Sequence, residues 1–221
     1  MKKQIAITLG LAVISGSALA SKARLEALGE DSNGSQYLLD NRNIFLNPAH
    51  ANLFKDIVTF EAGDTTNEAD TASSPNAEGG FLRATGNMVY GVAFGHEDKT
   101  IQNLKSNSGG NNPEDTNTWD LFVAGDAGVQ WGANLGYASY EDKQGANDIK
   151  SSSLRASFGI ISGDTEAFFK TSLQETAEED SVSDFEMKSN FDLGASHAIN
   201  GGTVFLRYTS YEAEEKENVA K

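Results

Sequence analysis

The chain has 221 residues with no cysteine, and 32 acidic against 17 basic residues give it a net charge of −15. Without cysteine it cannot be a disulfide-stabilised exported domain, and without a basic stripe it is not expected to bind nucleic acid. Its 22 glycines and 12 phenylalanines, beside only three prolines, favour β-sheet with tight turns over disorder.

The first twenty residues have the pattern of a secretory signal peptide. Lys2 and Lys3 precede an apolar run from Ile5 to Ile14, and small residues follow up to Ala20. This is the pattern that a signal peptidase recognises, so we predict cleavage near Ala20 and a mature chain outside the cytoplasm. No later segment has the roughly 18 consecutive apolar residues of a transmembrane helix, so any membrane insertion requires β-strands.

Residues 21–55 form a distinct segment, which we call the leader. Residues 21–28 can form two helical turns ended by Gly29, and residues 31–34 predict a turn. The step from Asn47 to Pro48 interrupts regular structure. We expect the leader to lie in the periplasm or to fold into the mouth of a barrel.

Residues 56–221 are predicted to supply the barrel strands and acidic extracellular loops. From Thr118 to the end one unit repeats, in which an alternating strand, a short glycine-containing turn, a second strand and a longer acidic loop follow one another. Period-two alternation predicts nine strands, at residues 57–62, 81–85, 88–96, 118–124, 129–140, 154–160, 166–173, 185–196 and 202–211. Short turns at one edge and long loops at the other are typical of a transmembrane β-barrel. The predicted fold is therefore all-β, an antiparallel up-and-down transmembrane barrel, and a soluble β-sandwich is the alternative.

Strand length and side-chain type favour the membrane. Several predicted strands exceed the usual 5–6 or so residues of globular proteins and match the roughly 9–11 of membrane strands. Aromatic residues that suit an interfacial belt are Tyr90, Trp119, Trp131, Tyr137 and Tyr208. Charged residues expected to face the barrel lumen, where they would set a pore's field, are Arg83, Asp120, Arg155, Glu166, Lys170, Glu186, Lys188, Asp192 and Arg207. In a narrow barrel these charges would instead pair with one another and fill the interior.

The strand count predicts an incomplete barrel. The ninth strand ends on the loop side and is followed by the acidic segment 212–221, which we expect to be a loop. Bacterial single-chain barrels have even strand numbers, so closing strands are expected to be missing. The alternative is that residues 37–46 of the leader supply a further strand.

No enzyme constellation is present. His50, His96 and His197 are scattered and have no cysteine beside them, so a metal site is not expected, and His96 and His197 are predicted at strand ends, facing water. There is no nucleophile elbow and no phosphate-binding glycine loop. We expect no catalysis, no metal and no cofactor.

The leader resembles a known group of proteins. Residues 23–29 and 40–49 are similar to the N-terminus of porin-like major outer-membrane proteins of predatory Bdellovibrio-type bacteria, and the similarity covers about the first third of the chain. Asn47, Pro48 and Ala49 also resemble the Asn-Pro-Ala element of long-chain fatty-acid transporters (FadL-like), in which that segment packs inside the barrel. The resemblance implies a barrel longer than this chain supplies.

These observations lead to a porin-like barrel of the outer membrane that passes small hydrophilic solutes passively. The expected partners are outer-membrane lipid, lipopolysaccharide and the barrel-assembly machinery, with divalent cations at the acidic loops and homo-oligomers as further expectations. One alternative is a plugged barrel that displays the loops 97–116, 141–147 and 174–184 for surface interactions. A FadL-like carrier of hydrophobic ligands is the other alternative.

Overall fold

The computed structural model describes residues 22–61, 77–96, 118–143, 148–179 and 183–217. The predicted signal peptide and the predicted loop 97–116 lie outside these ranges. Within these ranges the helices are short and lie in the leader: α1 (Lys22–Ala27), α2 (Asn43–Leu46) and a 3-10 helix (Pro48–Asn52). Over the described ranges, no helix has the length and apolar character needed to cross a membrane.

In the described part of the chain, nine antiparallel strands form one sheet, in which each strand pairs with its neighbours in the sequence. They are β1 (Ile57–Glu61), β2 (Glu78–Thr85), β3 (Met88–Phe94), β4 (Trp119–Asp126), β5 (Gln130–Asp142), β6 (Ile149–Ser162), β7 (Thr165–Glu179), β8 (Ser183–Ile199) and β9 (Gly202–Glu217). The predicted all-β up-and-down order is confirmed. Within the described ranges β1 and β9 do not pair with each other, so the sheet is not closed into a barrel.

The longest strands extend into regions predicted as loops. β7 and β8 occupy most of 174–184, and β9 continues through the acidic segment as far as Glu217. Opposite charges face each other across these extensions, because Lys150 lies opposite Glu178 and Lys188 Nζ on β8 lies 3.2 Å from Glu214 Oε2 on β9. Such cross-strand pairs stabilise a sheet. The loop prediction was therefore wrong for residues 174–179, 183–184 and 212–217, whereas 180–182 and 218–221 lie outside the described ranges.

Two details of the leader and turns also differ from the prediction. Residues 37–46 supply no strand, because Asn43–Leu46 is helical and the segment before it is irregular. The glycine-turn pattern predicts the β4–β5 turn at Gly125 and Asp126, but both residues belong to β4. The turn lies at residues 127–129 and is centred on Gly128. Gly128 has a φ of 87°, a conformation that residues other than glycine rarely adopt.

The register divides the sheet into two faces. Directly opposed residues share a face, and one row across the sheet contains Ile57, Leu82, Gly91, Phe122, Asn134, Ser157, Lys170, Asp192 and Thr209. We call this the inner face, because the leader packs against it. The adjacent row on the opposite, outer face contains Val58, Phe81, Val92, Leu121, Leu135, Ala156, Thr171, Phe191 and Ser210.

The core lies between the leader and the inner face of β2–β4. Ile44 and Phe45 of α2 pack with Leu82, Phe122 and their small neighbours in one buried cluster. Burying each large side chain of this kind stabilises the fold by about 1.5–3 kcal/mol. The leader is therefore packed against the sheet as part of the same folded unit.

The sheet curves around the leader. Arg42 contacts Glu78 on β2, whereas Tyr37, only five residues earlier, packs against Phe205 on β9 with ring centroids 4.8 Å apart. In a flat sheet β2 and β9 would be separated by seven strand spacings, about 34 Å. The folded leader is too short to bridge that width, so the inner face must be concave.

Candidate functional site

Six of the nine predicted lumen charges share the inner face. Asp120, Arg155, Glu166, Lys170, Asp192 and Arg207 come from five strands, β4 and β6–β9. Arg207 binds both carboxylate oxygens of Asp192, at 3.0 and 2.8 Å, and Lys170 lies directly opposite Asp192. The mutual pairing expected for a narrow interior is thus present on this face.

The other three predicted lumen charges lie on the outer face. Arg83 is opposite Tyr90, and its exposed guanidinium donates to Asp56 at 2.9 Å. Lys188 is the extra residue of a β-bulge between Met187 and Ser189. A bulge shifts strand alternation by one residue, which exposes Glu186 and Lys188 on the outer face.

The same bulge buries two apolar side chains on the inner face. Phe185 and Met187 form a small cluster with Ala177, and Phe185 is only 3% exposed. Strict alternation along β8 predicts both side chains on the same face as Leu193, which is the outer face. A second irregularity between Leu154 and Arg155 makes Leu173 the unpaired residue of β7.

A buried ionic cluster fastens the leader to β1 and β2. Glu78 accepts from Lys22 Nζ at 2.9 Å and from the Arg42 guanidinium, and the Lys22 backbone N–H donates to Glu61 at 2.8 Å. Lys22, Arg42 and Glu78 are each about 5–6% exposed. Removing one partner of such a buried pair costs about 3–5 kcal/mol, since the other charge is left uncompensated. The cluster therefore fixes the start of the leader in place.

Two histidines join the leader to the sheet. His96 was predicted to face water, but it is buried, with Nε2 2.8 Å from Asn33 Oδ1 and Nδ1 3.2 Å from Asp120 Oδ2. Its ring stacks on Phe45 at 3.7 Å. The leader's His50 places Nε2 2.8 Å from Glu166 Oε2. His197 is exposed, as predicted.

The Asn47-Pro48-Ala49 element lies over a pair of glycines. Asn47 Oδ1 accepts from the Ala49 N–H at 3.1 Å and so caps the 3-10 helix. Gly132 on β5 and Gly159 on β6 are directly opposed. A Cβ at Gly132 would overlap the Pro48 backbone, and one at Gly159 would overlap the Asn47 side chain. The glycines let this element approach the inner face closely.

The five predicted interfacial aromatics all lie on the outer face. Trp131 lies near the edge of the sheet with the short turns, which we call the turn edge. Trp119 and Tyr137 form a tilted pair, with ring centroids 5.6 Å apart, nearer the opposite edge, which we call the loop edge. Tyr90 and Tyr208 share a row between these positions. Over the described part of the chain, no group of three acidic, histidine or cysteine side chains could hold a metal ion.

No family model, curated protein or solved structure matches the chain.

Proposed function

We propose that this chain forms the wall of an outer-membrane β-barrel, with its outer face in contact with lipid, and that the inner face serves passive passage of small hydrophilic solutes. The observation that supports it is the exposure of large apolar side chains on the outer face of every strand. They are Val58, Phe60, Phe81, Tyr90, Phe94, Leu121, Leu135, Phe158, Phe169, Leu193, Val204, Leu206 and Tyr208.

The size of this apolar band separates it from an ordinary surface patch. Across nine strands the band is about 38 Å wide, and from Trp131 to Tyr137 it is about 20 Å tall along the strand. On β2 it is interrupted by Arg83, which lies in the row of Tyr90 and pairs with Asp56. A patch of this size exceeds the roughly 300–600 Å² that is usual on soluble monomers. Its height approaches the ~25 Å lipid-facing band of outer-membrane barrels.

The outer face becomes polar beyond the band. On β5, Tyr137 is followed on the same face by Ser139 and Glu141, and the opposed residue of Ser139 is Ser152 on β6. The acidic extensions of β7–β9 continue the same polar zone. An apolar band that ends at an aromatic row and continues into charge suits strands that emerge from a membrane into water.

The inner face suggests where a solute would pass. Its β2–β4 half carries the apolar cluster that the leader covers, whereas its β6–β9 half carries Arg155, Lys170, Asp192 and Arg207. Charges that line a passage set its ion preference. The apolar part is already filled by the leader, so no described feature favours a FadL-like carrier of hydrophobic ligands.

Reconstitution tests the proposal. The full chain, expressed with its own N-terminal residues, is expected in the outer-membrane fraction and should migrate differently in detergent gels before and after boiling. In liposomes it is expected to raise permeability to small sugars and salts. Recovery only in the soluble fraction would refute the membrane location, and insertion without conductance or swelling would refute passage.

A second function is favoured by the leader itself. Its buried Glu78 ion pairs and its contact with Gly132 hold it against the inner face, as a permanent plug would require. The protein would then be a plugged barrel, without an open pore, that displays acidic loops to surface partners. If the barrel is plugged, deleting residues 98–115 should abolish binding to surface partners and leave the permeability of liposomes unchanged. If it is a pore, the full chain should conduct in reconstituted membranes.

A further inference from the structure

An open groove crosses the outer face of β5–β7 at the loop edge of the apolar band, and we call it the outer groove. Its volume is about 580 Å³, within the roughly 300–1,000 Å³ of small-molecule sites. On the side of the apolar band its wall includes Tyr137, the partner of Trp119 in the tilted aromatic pair. The outer groove therefore lies where the apolar surface ends and the polar surface begins.

A row of small hydroxyl side chains forms the floor of the outer groove. Ser139, Ser152 and Thr176 are directly opposed on β5, β6 and β7, and all three line the groove and are partly exposed. The row spans about 10 Å across the three strands. Among the described residues, none of these hydroxyls is bonded to the protein. Because a hydroxyl both donates and accepts, the floor offers both kinds of hydrogen bond to a ligand.

Charged side chains form the opposite wall of the outer groove. Glu141, Lys150 and Glu178 are directly opposed in the next row toward the loop edge and line the groove. Glu141 is paired with Lys143 at 2.9 Å. The exposed Lys150 ammonium, by contrast, has no hydrogen bond and no ion pair within 4 Å over the described ranges. Its three N–H donors can therefore reach a ligand in the groove.

The same polar zone is satisfied internally on the neighbouring strands β8 and β9. There Lys188 Nζ donates to Glu186 and lies 3.2 Å from Glu214 Oε2. The outer groove thus differs from its surroundings, because its donors and acceptors are not used by the described part of the protein.

The chemistry of the outer groove fits a sugar. Its two carboxylates, Glu141 and Glu178, are balanced by Lys143 and Lys150, which favours neither a phosphate nor a metal ion. Sugar hydroxyls donate to carboxylates and accept from an ammonium, and they do both with the hydroxyl floor. A sugar ring also has apolar C–H faces, which pack on an aromatic side chain such as Tyr137.

We propose that the outer groove binds the sugar headgroup of a glycolipid whose acyl chains lie along the apolar band. The inference rests on the proposed contact of the outer face with lipid. The rows that follow the hydroxyl floor toward the turn edge contain Tyr137 and Leu154, then Leu135 and Ala156, so the groove is continuous with the apolar band. A glycolipid matches both surfaces at once, whereas a soluble saccharide would use only the polar one.

Binding can be measured by native mass spectrometry on the full chain folded in phosphocholine micelles, with folding first verified by heat-modifiable migration. The probe is digalactosyl diacylglycerol, and the reference is phosphatidylcholine with the same acyl chains, so that the two lipids differ only in the headgroup. We expect the glycolipid to bind at one site at least about tenfold more tightly than the reference, because the sugar adds several hydrogen bonds.

Substitutions in the outer groove should remove this preference. Lys150→Gln should weaken glycolipid binding about tenfold, because a charged donor is lost. Ser152→Leu should weaken it at least about tenfold, since the larger side chain fills the centre of the floor and removes a hydroxyl. The matched control is Lys188→Gln, which removes the same charge from the same polar zone. Its ammonium is already held by two carboxylates, so glycolipid binding should change less than about twofold.

Equal affinity for the glycolipid and phosphatidylcholine would overturn the proposal. Equal weakening by Lys150→Gln and Lys188→Gln would also overturn it, since it would show charge attraction outside the groove. Saturation-transfer difference NMR with digalactosyl glycerol, which lacks the acyl chains, tests the source of the sugar, and binding as tight as that of the glycolipid would show a site for soluble saccharides instead.

The proposed function and this inference fail in different ways. A full chain that inserts into membranes and conducts, but shows no preference for the glycolipid, would refute the outer groove as a sugar site alone. Recovery of the full chain only in the soluble fraction would refute the lipid contact of the outer face, on which the glycolipid site rests.

Discussion

The substitution Leu135→Arg separates a lipid-facing sheet from a water-facing one. Leu135 lies on the outer face of β5, between Leu121 and Ala156 in the same row, and is 39% exposed. In water, an arginine at such a partly exposed position has room to extend into solvent. In a bilayer, its guanidinium would have to leave the hydrocarbon or draw water into it.

The two environments predict different magnitudes. Near the bilayer midplane an arginine on the lipid face costs about 2–4 kcal/mol, and 2 kcal/mol corresponds to roughly a thirtyfold change in the folding equilibrium. Surface substitutions in water usually stay within about 0.5 kcal/mol. We expect a loss of at least about 2 kcal/mol for Leu135→Arg, because its row is one of the two central rows of the apolar band.

Ser139→Arg is the control for this prediction. Ser139 is on the same strand and the same face as Leu135, four residues closer to the loop edge and beyond the aromatic row. There the cost should be about 0–1 kcal/mol. The assay is reversible urea unfolding of both variants from lipid vesicles, followed by the heat-modifiable gel band. Equal and small effects of both substitutions would refute the lipid-facing assignment of the outer face.

Two further predictions concern the leader. Gly132→Ala should displace the Asn-Pro-Ala element, because the added Cβ overlaps the Pro48 backbone, and limited proteolysis should then cut the leader faster. The control is Gly202→Ala, whose added Cβ meets nothing within 4 Å and should leave the cleavage rate unchanged. Equal protection of the leader in both variants would contradict the close contact. Glu78→Gln should lower the free energy of unfolding by about 3–5 kcal/mol, because it removes the nearest carboxylate from two buried cations, Lys22 and Arg42. The control is Glu178→Gln, at an exposed position, which should change the midpoint of urea unfolding little. Similar midpoint shifts for Glu78→Gln and Glu178→Gln would argue against the buried cluster.

The strands could be predicted because their information is local. Alternation along Val129 to Tyr140 identifies a strand and both of its faces without knowledge of its neighbours, and β5 was found within two residues at each end. Bulges are different, because Leu173 and Lys188 become unpaired only through the register of two strands. Every face assignment beyond a bulge is then reversed, as Glu186 and Phe185 show.

The role of the leader could not be predicted from local pattern. Glu78 binds Lys22 and Arg42 from 56 and 36 residues away, and none of the three looks unusual in its own sequence context. The pairing of Gly132 with Gly159 likewise appears only once β5 and β6 are in register. The sequence likewise does not indicate that the Ser157 hydroxyl is buried without a hydrogen-bond partner among the described residues, because burial and partnering are both tertiary properties.

The two tryptophans of the chain test the central claim most directly, because both lie on the outer face and near opposite edges of the apolar band. Trp119→Phe and Trp131→Phe each leave one reporter, whose fluorescence is measured in vesicles of lipids brominated at defined depths. A lipid-facing sheet predicts quenching of both reporters, strongest from bromines near the interface and weaker from those at the bilayer centre. Fluorescence that no brominated lipid quenches, in protein shown to be folded and bound to the vesicles, would contradict a lipid-facing outer surface.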